Sequence, residues 1–211
     1  MNQIRLHKLT LLALLALLAF GTRCSGEGGD SAGDANAGSD SAAVSESAPA
    51  IVFLGDSLTA GRGLAKSEAA PALIEAKVQA AGLDYRVINP GRSGDTTAGG
   101  LARLAWYLRP EVQPAVLVIG LGSNDAMRGL GLDEVEANLK EIVKQARAFN
   151  PQMRIFLYQM YTFPNMGPEY AQNYGALFGK VAQETSITLL PFPLLGVAGE
   201  AELSQPDGIH P

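Results

Sequence analysis

The chain of 211 residues has a single cysteine, Cys24, so no disulfide can form within it. It has only two histidines, His7 and His210, near opposite ends, and chemistry that needs an imidazole in the folded part therefore has one candidate. Basic residues are outnumbered: 16 Lys and Arg against 21 Asp and Glu leave a net charge of −5, which argues against a broad basic surface and against nucleic acid as a partner. No apolar stretch is long. Leu9 to Phe20, broken only by Thr10, would reach about 18 Å as a helix against about 30 Å of hydrocarbon, too short for a permanent membrane span. The remainder, 47% hydrophobic and 18% charged, has the balance of a globular chain, not of a disordered, collagen-like or multispanning one. At this length one domain is the better fit.

The first fifty residues read as address and tether. Arg5 and Lys8 precede the apolar run, a signal-peptide pattern over residues 1–24, so the protein is expected to be exported. From Ser25 to Ala50, 18 of 26 residues are Gly, Ser or Ala and none is basic or aromatic. Such a segment buries too little to offset the entropy of ordering, and residues 25–50 are read as a disordered linker with a span of roughly 28 Å. Cys24, between the two, resembles the lipid-modified cysteine of bacterial lipoproteins, although Arg23 precedes it where that pattern has a small residue. Cleavage after Ala19-Phe20-Gly21 is the competing reading and would leave Cys24 a free thiol. Lipidation would tether the protein to a membrane in the periplasm or cell envelope.

Residues 51–211 read as alternating strands and helices. Ile51–Leu54, closed by Gly55, is a continuous apolar run of the kind buried on both faces. Further strands are expected at Tyr85–Ile88, Ala115–Ile119, Arg154–Tyr158 and Thr188–Leu190. Between them, Glu134–Phe149 carries Val135, Leu139, Ile142, Val143, Ala146 and Phe149 on one face, with Asp133 and Glu136 spaced as a capping box. Helices are also expected over residues 67–81, closed by Gly82, and over 97–108 and 168–184. The alternation implies a parallel sheet with helices on both faces, in which ligands bind outside the carboxyl ends of the strands.

The unusual polar residues fall there: Gly55-Asp56-Ser57-Leu58 after the first strand, Asn89-Pro90-Gly91-Arg92-Ser93-Gly94 after the second, Gly122-Ser123-Asn124-Asp125 after the third, and Asp207-Gly208-Ile209-His210 near the end. A serine hydrolase needs a hydroxyl nucleophile, an imidazole, a carboxylate that fixes its tautomer and donors aimed at an oxyanion. Ser57, His210 and Asp207 can fill the first three roles. Each block has a plain alternative when taken singly. Gly-Asp-Ser and Asp207-Gly208 are turn signals, Asn124-Asp125 could cap a helix, and a glycine-rich loop could cradle phosphate. No serine has glycine two before and two after it, so the nucleophile elbow of the α/β-hydrolases is absent.

Taken together in this order, Gly55-Asp56-Ser57-Leu58, Asn89-x-Gly91-x-Ser93-Gly94-x-Thr96, Gly122-x-Asn124-Asp125 and Asp207-x-x-His210 resemble the four blocks of the SGNH, or GDSL-type, hydrolase superfamily. The extended runs Gly55–Gly61, Ser93–Leu104 and Asn124–Leu130 are similar to its bacterial arylesterase, lysophospholipase and acyl-CoA thioesterase subgroup. The resemblance implies a three-layer α/β/α, flavodoxin-like fold with a five-stranded parallel sheet. It implies Ser57 as nucleophile, His210 as base and then acid, and Asp207 as its orienter. Ser57 N–H, Gly91 N–H and the Asn124 amide are the implied oxyanion donors, with no cofactor and no metal. At Gly91 a side chain is expected to obstruct the approach of substrate to the backbone. The implied substrate is a small acyl ester or thioester, or a lysophospholipid, hydrolysed by a monomer. Met127, Leu130, Phe163, Pro164 and Met166 could line an acyl groove or simply pack. A carbohydrate or cell-wall O-acetylesterase, a non-catalytic flavodoxin-like binding module, and a metal site of Asp56, Asp125, Asp207 and His210 are the other readings. The superfamily normally continues past its histidine into a last helix, so a chain ending at His210-Pro211 reads as truncated, with Asp207 and His210 expected on a fraying tail.

Overall fold

The structure, a computed structural model, describes residue 45 and residues 47–211. The expected signal segment, Cys24 and most of the expected linker lie outside the described residues.

Five strands form one parallel sheet in the order β2-β1-β3-β4-β5, with β1 Ala50–Gly55, β2 Arg86–Ile88, β3 Pro114–Gly120, β4 Arg154–Tyr158 and β5 Thr188–Leu190. The two longest apolar runs, β1 and β3, lie side by side in the middle, while β2 and β5, three residues each, are the edges. Residues of β1 and β3 alternate between two buried faces: Val52, Leu54, Leu117 and Ile119 join the main core, and Ile51, Phe53, Val116 and Val118 are buried on the other side. The chain leaves β1 for β2 on one side and later returns to place β3 on the other. This reversal opens a crevice at the carboxyl ends of β1 and β3.

Six helices are described: α1 Ser57–Ala60, α2 Ala70–Ala80, α3 Thr97–Leu104, α4 Ser123–Met127, α5 Leu132–Phe149 and α6 Pro168–Glu184. The expected face of α5 is buried through Val135, Leu139, Ile142, Val143 and Ala146, and it packs in one cluster with Tyr174, Leu177, Phe178 and Val181 of α6.

Several local expectations change. The capping box at Asp133 and Glu136 does not form: α5 starts earlier, with Gly131 as its N-cap and no side-chain cap bond. Glu136 instead pairs with Lys140 and with Lys180 of α6. Phe149, at the helix end, is 37% exposed. The helix expected over 67–81 is split into a 3-10 turn at Lys66–Glu68 and α2, because Pro71 suits a first helical turn and not an interior. The one expected over 97–108 closes at Leu104, where the backbone tightens into Trp106 N–H to Arg103 O and Tyr107 N–H to Leu104 O bonds. The folded region also begins before Ile51: Ala48 and Ala50 are buried, and Ala50 N–H donates to Gln113 O.

Candidate active site

The crevice collects all four polar blocks. Directly after β1, Asp56 caps the single turn of α1, its Oδ1 accepting from Leu58 N–H at 3.0 Å, so Ser57 opens the helix at the strand end and is 8% exposed. The final loop folds back onto it. Asp207 Oδ1 accepts from the backbone N–H groups of Ile209 and His210, each at 3.0 Å, and Oδ2 lies 2.6 Å from His210 Nδ1. A carboxylate only accepts, so Nδ1 carries the proton and Nε2, 2.7 Å from Ser57 Oγ, faces the hydroxyl as an acceptor. The backbone bonds from His210 and Ile209, followed by the His210 side chain, hold the Asp207 carboxyl well below the usual range. It therefore stays ionised and can stabilise an imidazolium. His210 is buried, and the loop is tied down by Gln205, whose N–H donates to His210 O at 2.7 Å and whose amide donates to Arg62 O at 2.7 Å and Pro211 O at 2.8 Å. The tail expected to fray is held.

The expected oxyanion donors lie in neighbouring loops. Asn124, in α4, is buried, and its Nδ2 donates to Asp95 O at 2.9 Å and to Asp56 Oδ2 at 3.3 Å. Gly91 N–H donates to Asn89 Oδ1 at 3.0 Å, and Asn89 in turn donates to Thr59 O. A reason for glycine at position 91 besides the one expected lies within the protein: a Cβ there would lie 2.3 Å from Ala60 N and 2.8 Å from Thr59 C, so the backbone of α1 leaves no room for a side chain.

Asp125 does not cap its own helix. Its carboxylate accepts from Thr97 N–H and Thr97 Oγ1 at the start of α3, joining two site loops. Burial pushes its carboxyl above the usual range, and burial likewise pushes Asp56 up to about 6. Among the described residues, no group of three or more His, Cys, Asp or Glu side chains is placed to hold a metal ion, and the proposed quartet of Asp56, Asp125, Asp207 and His210 is divided among the separate bonds above.

Beside Ser57 opens a cavity of about 320 Å³ whose apolar wall includes Met127, Tyr161, Phe163, Phe192, Leu194 and Val197; among the described residues, none that lines it is basic. Tyr161 and Phe192 meet edge to face, with ring centroids 5.3 Å apart. Met127 and Phe163 are among the lining residues, whereas Leu130 and Met166 are not; the Pro164 side chain lies outside what the structure describes. Past α4 the chain turns at Gly129, with φ of +63°, and Leu130 O accepts from Tyr170 Oη-H on α6. Residues Pro164–Met166 form a 3-10 turn leading into α6. The sequence reading missed the 192–198 wall. Its signal was the apolar, Pro- and Gly-punctuated stretch Pro191–Gly199, which has neither helical nor strand period. It also missed Arg103.

A doubly wound parallel sheet carrying a hydroxyl, imidazole and carboxylate in hydrogen-bonded series at its carboxyl edge, beside an apolar cavity, defines a hydrolase of the serine type on a flavodoxin-like scaffold. Within that class, the chain belongs to the GDSL-like Lipase/Acylhydrolase family, whose sequence model matches residues 53–211. It is 40% identical over 164 residues to "Esterase TesA" of Pseudomonas aeruginosa, covering 78% of this chain and 80% of that one. It is 37% identical over 164 residues to "Thioesterase 1/protease 1/lysophospholipase L1" of Escherichia coli K12, covering 78% and 76%. Among solved structures, the psychrotrophic esterase EstA from Pseudoalteromonas sp., inhibited by monoethylphosphonate, superposes with a TM-score of 0.72 at 34% identity, covering 77% of this chain and 87% of that one. The protein is an ester-hydrolysing enzyme of this family.

Proposed function

We propose that Ser57 forms an acyl-enzyme with a carboxylic ester or thioester and that water then releases the acid. The observation that carries this reading is the Asp207–His210–Ser57 series, with its 2.6 and 2.7 Å contacts. Nε2 takes the Ser57 proton as Oγ attacks the carbonyl carbon, then gives it to the leaving alkoxide or thiolate. In the second half Nε2 takes a proton from water, whose oxygen attacks the acyl carbon, and returns it to Ser57 Oγ. Ser57 N–H, Gly91 N–H and Asn124 Nδ2 receive the oxyanion. For Asn124 the hydrogen available is the one in the longer 3.3 Å contact to Asp56, and Gly91 N–H shares its present bond to Asn89.

The apolar wall of the cavity supports acyl chains longer than acetyl, and on this ground we prefer esterase, lysophospholipase or thioesterase chemistry to O-acetyl removal. The signal pattern supports export to the periplasm or cell envelope, where lysophospholipids and other envelope esters are nearer to hand than acyl-CoA. Cys24 would supply a membrane tether there, and mass spectrometry of the mature N-terminus tests it: an unacylated chain starting at Thr22 refutes lipidation. The deciding experiment is labelling with a serine-directed phosphonate, followed by a p-nitrophenyl ester series. A single adduct on Ser57 and higher kcat/KM for butyrate or longer esters than for acetate are expected. A chain that hydrolyses esters without labelling at Ser57 refutes the mechanism, and a preference for acetate refutes the substrate class.

A further inference from the structure

The buried Arg103 has no part in the proton and acyl transfers described above. It stands on α3 with only 4% of its side chain exposed, and its guanidinium reaches the end of β1 and two places in the loop after β2. Nε donates to Asp95 Oδ2 at 2.5 Å, Nη1 to Pro90 O at 2.6 Å and Nη2 to Gly55 O at 2.9 Å. Each acceptor adjoins a different oxyanion donor. Pro90 O and Gly91 N–H belong to the same planar trans peptide, so drawing the carbonyl towards Arg103 aims the N–H the opposite way. Gly55 O lies on the peptide just before Asp56, at the strand end from which Ser57 N–H projects. Asp95 is the residue whose own backbone O accepts from Asn124 Nδ2 at 2.9 Å.

We propose that Arg103 is a positioning residue: one rigid fork of donors that sets the Ser57, Gly91 and Asn124 donors in mutual register for the oxyanion. The strand ends and loops are already tied pairwise, Asp56 N–H to Gly120 O, Arg92 N–H to Gly55 O and Asn89 Nδ2 to Thr59 O, and Arg103 adds one group that holds the end of β1 and two points of the loop after β2 at once. A guanidinium can do so because its donors lie in one plane at fixed angles, whereas a lysine ammonium is a single point of charge. A buried ion pair is by itself weak evidence of stability, so the value of this one is expected in geometry.

This inference rests on the serine mechanism proposed above. The test uses the full chain with Arg103→Lys, Arg103→Met and, as a milder change that leaves the guanidinium in place, Asp95→Asn. Measured quantities are kcat and KM on p-nitrophenyl butyrate, the rate of phosphonate labelling at Ser57, and Tm. Val143→Ala, a buried change on α5, provides a comparison for loss of Tm alone. For Arg103→Lys the expectation is a fall in kcat of about 10- to 100-fold, less than the loss of a whole oxyanion donor, with KM within about threefold and labelling slowed by a similar factor. Asp95→Asn should lose kcat in the same direction by a smaller factor, and the double variant Arg103→Met, Asp95→Asn should be no worse than Arg103→Met alone. The proposal is overturned if Arg103→Lys keeps the wild-type kcat, or if its kcat loss is matched by Val143→Ala. Should the Arg103 variants fail to fold, an unchanged kcat in Asp95→Asn overturns it equally. A wild-type enzyme that is active but unlabelled at Ser57 removes the mechanism and the inference together, whereas a labelled wild type with fully active Arg103 variants removes the inference alone.

Discussion

Gln205→Glu tests how the base is held against the nucleophile. Of the hydrogen bonds among the described residues, only two join residues 205–211 to the rest of the chain: His210 Nε2 to Ser57 Oγ, and the Gln205 amide to Arg62 O. The first disappears once Ser57 Oγ carries an acyl group, leaving Gln205 to keep the imidazole in place for deacylation. The turn after α1 is shaped for this amide: at Gly63, with φ of +83°, a Cβ would lie 2.0 Å from Gln205 Oε1 and 2.6 Å from its Cδ. Glutamate has nearly the same shape but no N–H, so the variant loses both donations and sets a carboxylate against the carbonyls of Arg62 and Pro211. Two partly exposed hydrogen bonds amount to about 1–2 kcal/mol net, so the equilibrium constant for docking the loop falls about 5- to 30-fold, which is the most that kcat can lose by this route. Steady-state hydrolysis of p-nitrophenyl butyrate should show that loss in kcat, with a stopped-flow burst of p-nitrophenol as deacylation becomes limiting. Because the opening is local, Tm should drop by no more than about 4–8 °C. A kcat within twofold of wild type, or a loss without any burst, would show that the clamp does not govern the position of His210.

Three further outcomes follow from other contacts. Asn124→Ala should lower kcat by about 10²–10³, or roughly 3–4 kcal/mol, with KM little changed; equal turnover removes Asn124 from the mechanism. Gly91→Ala must displace the α1 backbone, an overpacking cost of about 1–3 kcal/mol, and calorimetry should show a lower Tm, whereas an unaltered Tm with raised KM would leave only the substrate-obstruction reading. The carboxyl of Asp56, raised from 3.8 to about 6 by burial, binds more protons in the native state than in the unfolded state across that interval, so its contribution to stability falls as pH rises through it. Relative to wild type, Asp56→Asn should therefore gain up to about 3 kcal/mol between pH 4 and 7 in urea unfolding, and a difference that is flat or declines with pH would refute the burial argument. The depressed carboxyl of Asp207 acts oppositely: its contribution is present above the ordinary carboxylate range and is lost as pH falls below it.

The apolar runs of β1, β3 and β4 were legible because strands buried on both faces leave a continuous hydrophobic trace, and α5 because its apolar face repeats at helical spacing. The capping box failed where Gly131 supplied an earlier start, since spacing marks where a cap is possible and not where the chain enters the helix. Leu130 and Met166 stood in the expected loops, yet lining a cavity depends on the direction a loop takes, which residue spacing does not record. The wall from Phe192 to Ala198 escaped because irregular apolar chain has no period to detect. Asn124-Asp125, taken singly, could have capped a helix; in the structure Asp125 bonds Thr97, the first residue of α3.

Residue order alone determined the class of fold, because strand and helix periods are local, and it made the Asp207–His210 contact legible, because the two lie close enough along the chain to bond within one loop. Tertiary structure decided everything that joins distant segments: His210 against Ser57 across 153 positions, Arg103 bridging Gly55, Pro90 and Asp95, and glycine at 91 for want of space beside α1. Such contacts arise only when the sheet order brings the strand ends together, and no spacing along the chain records that order.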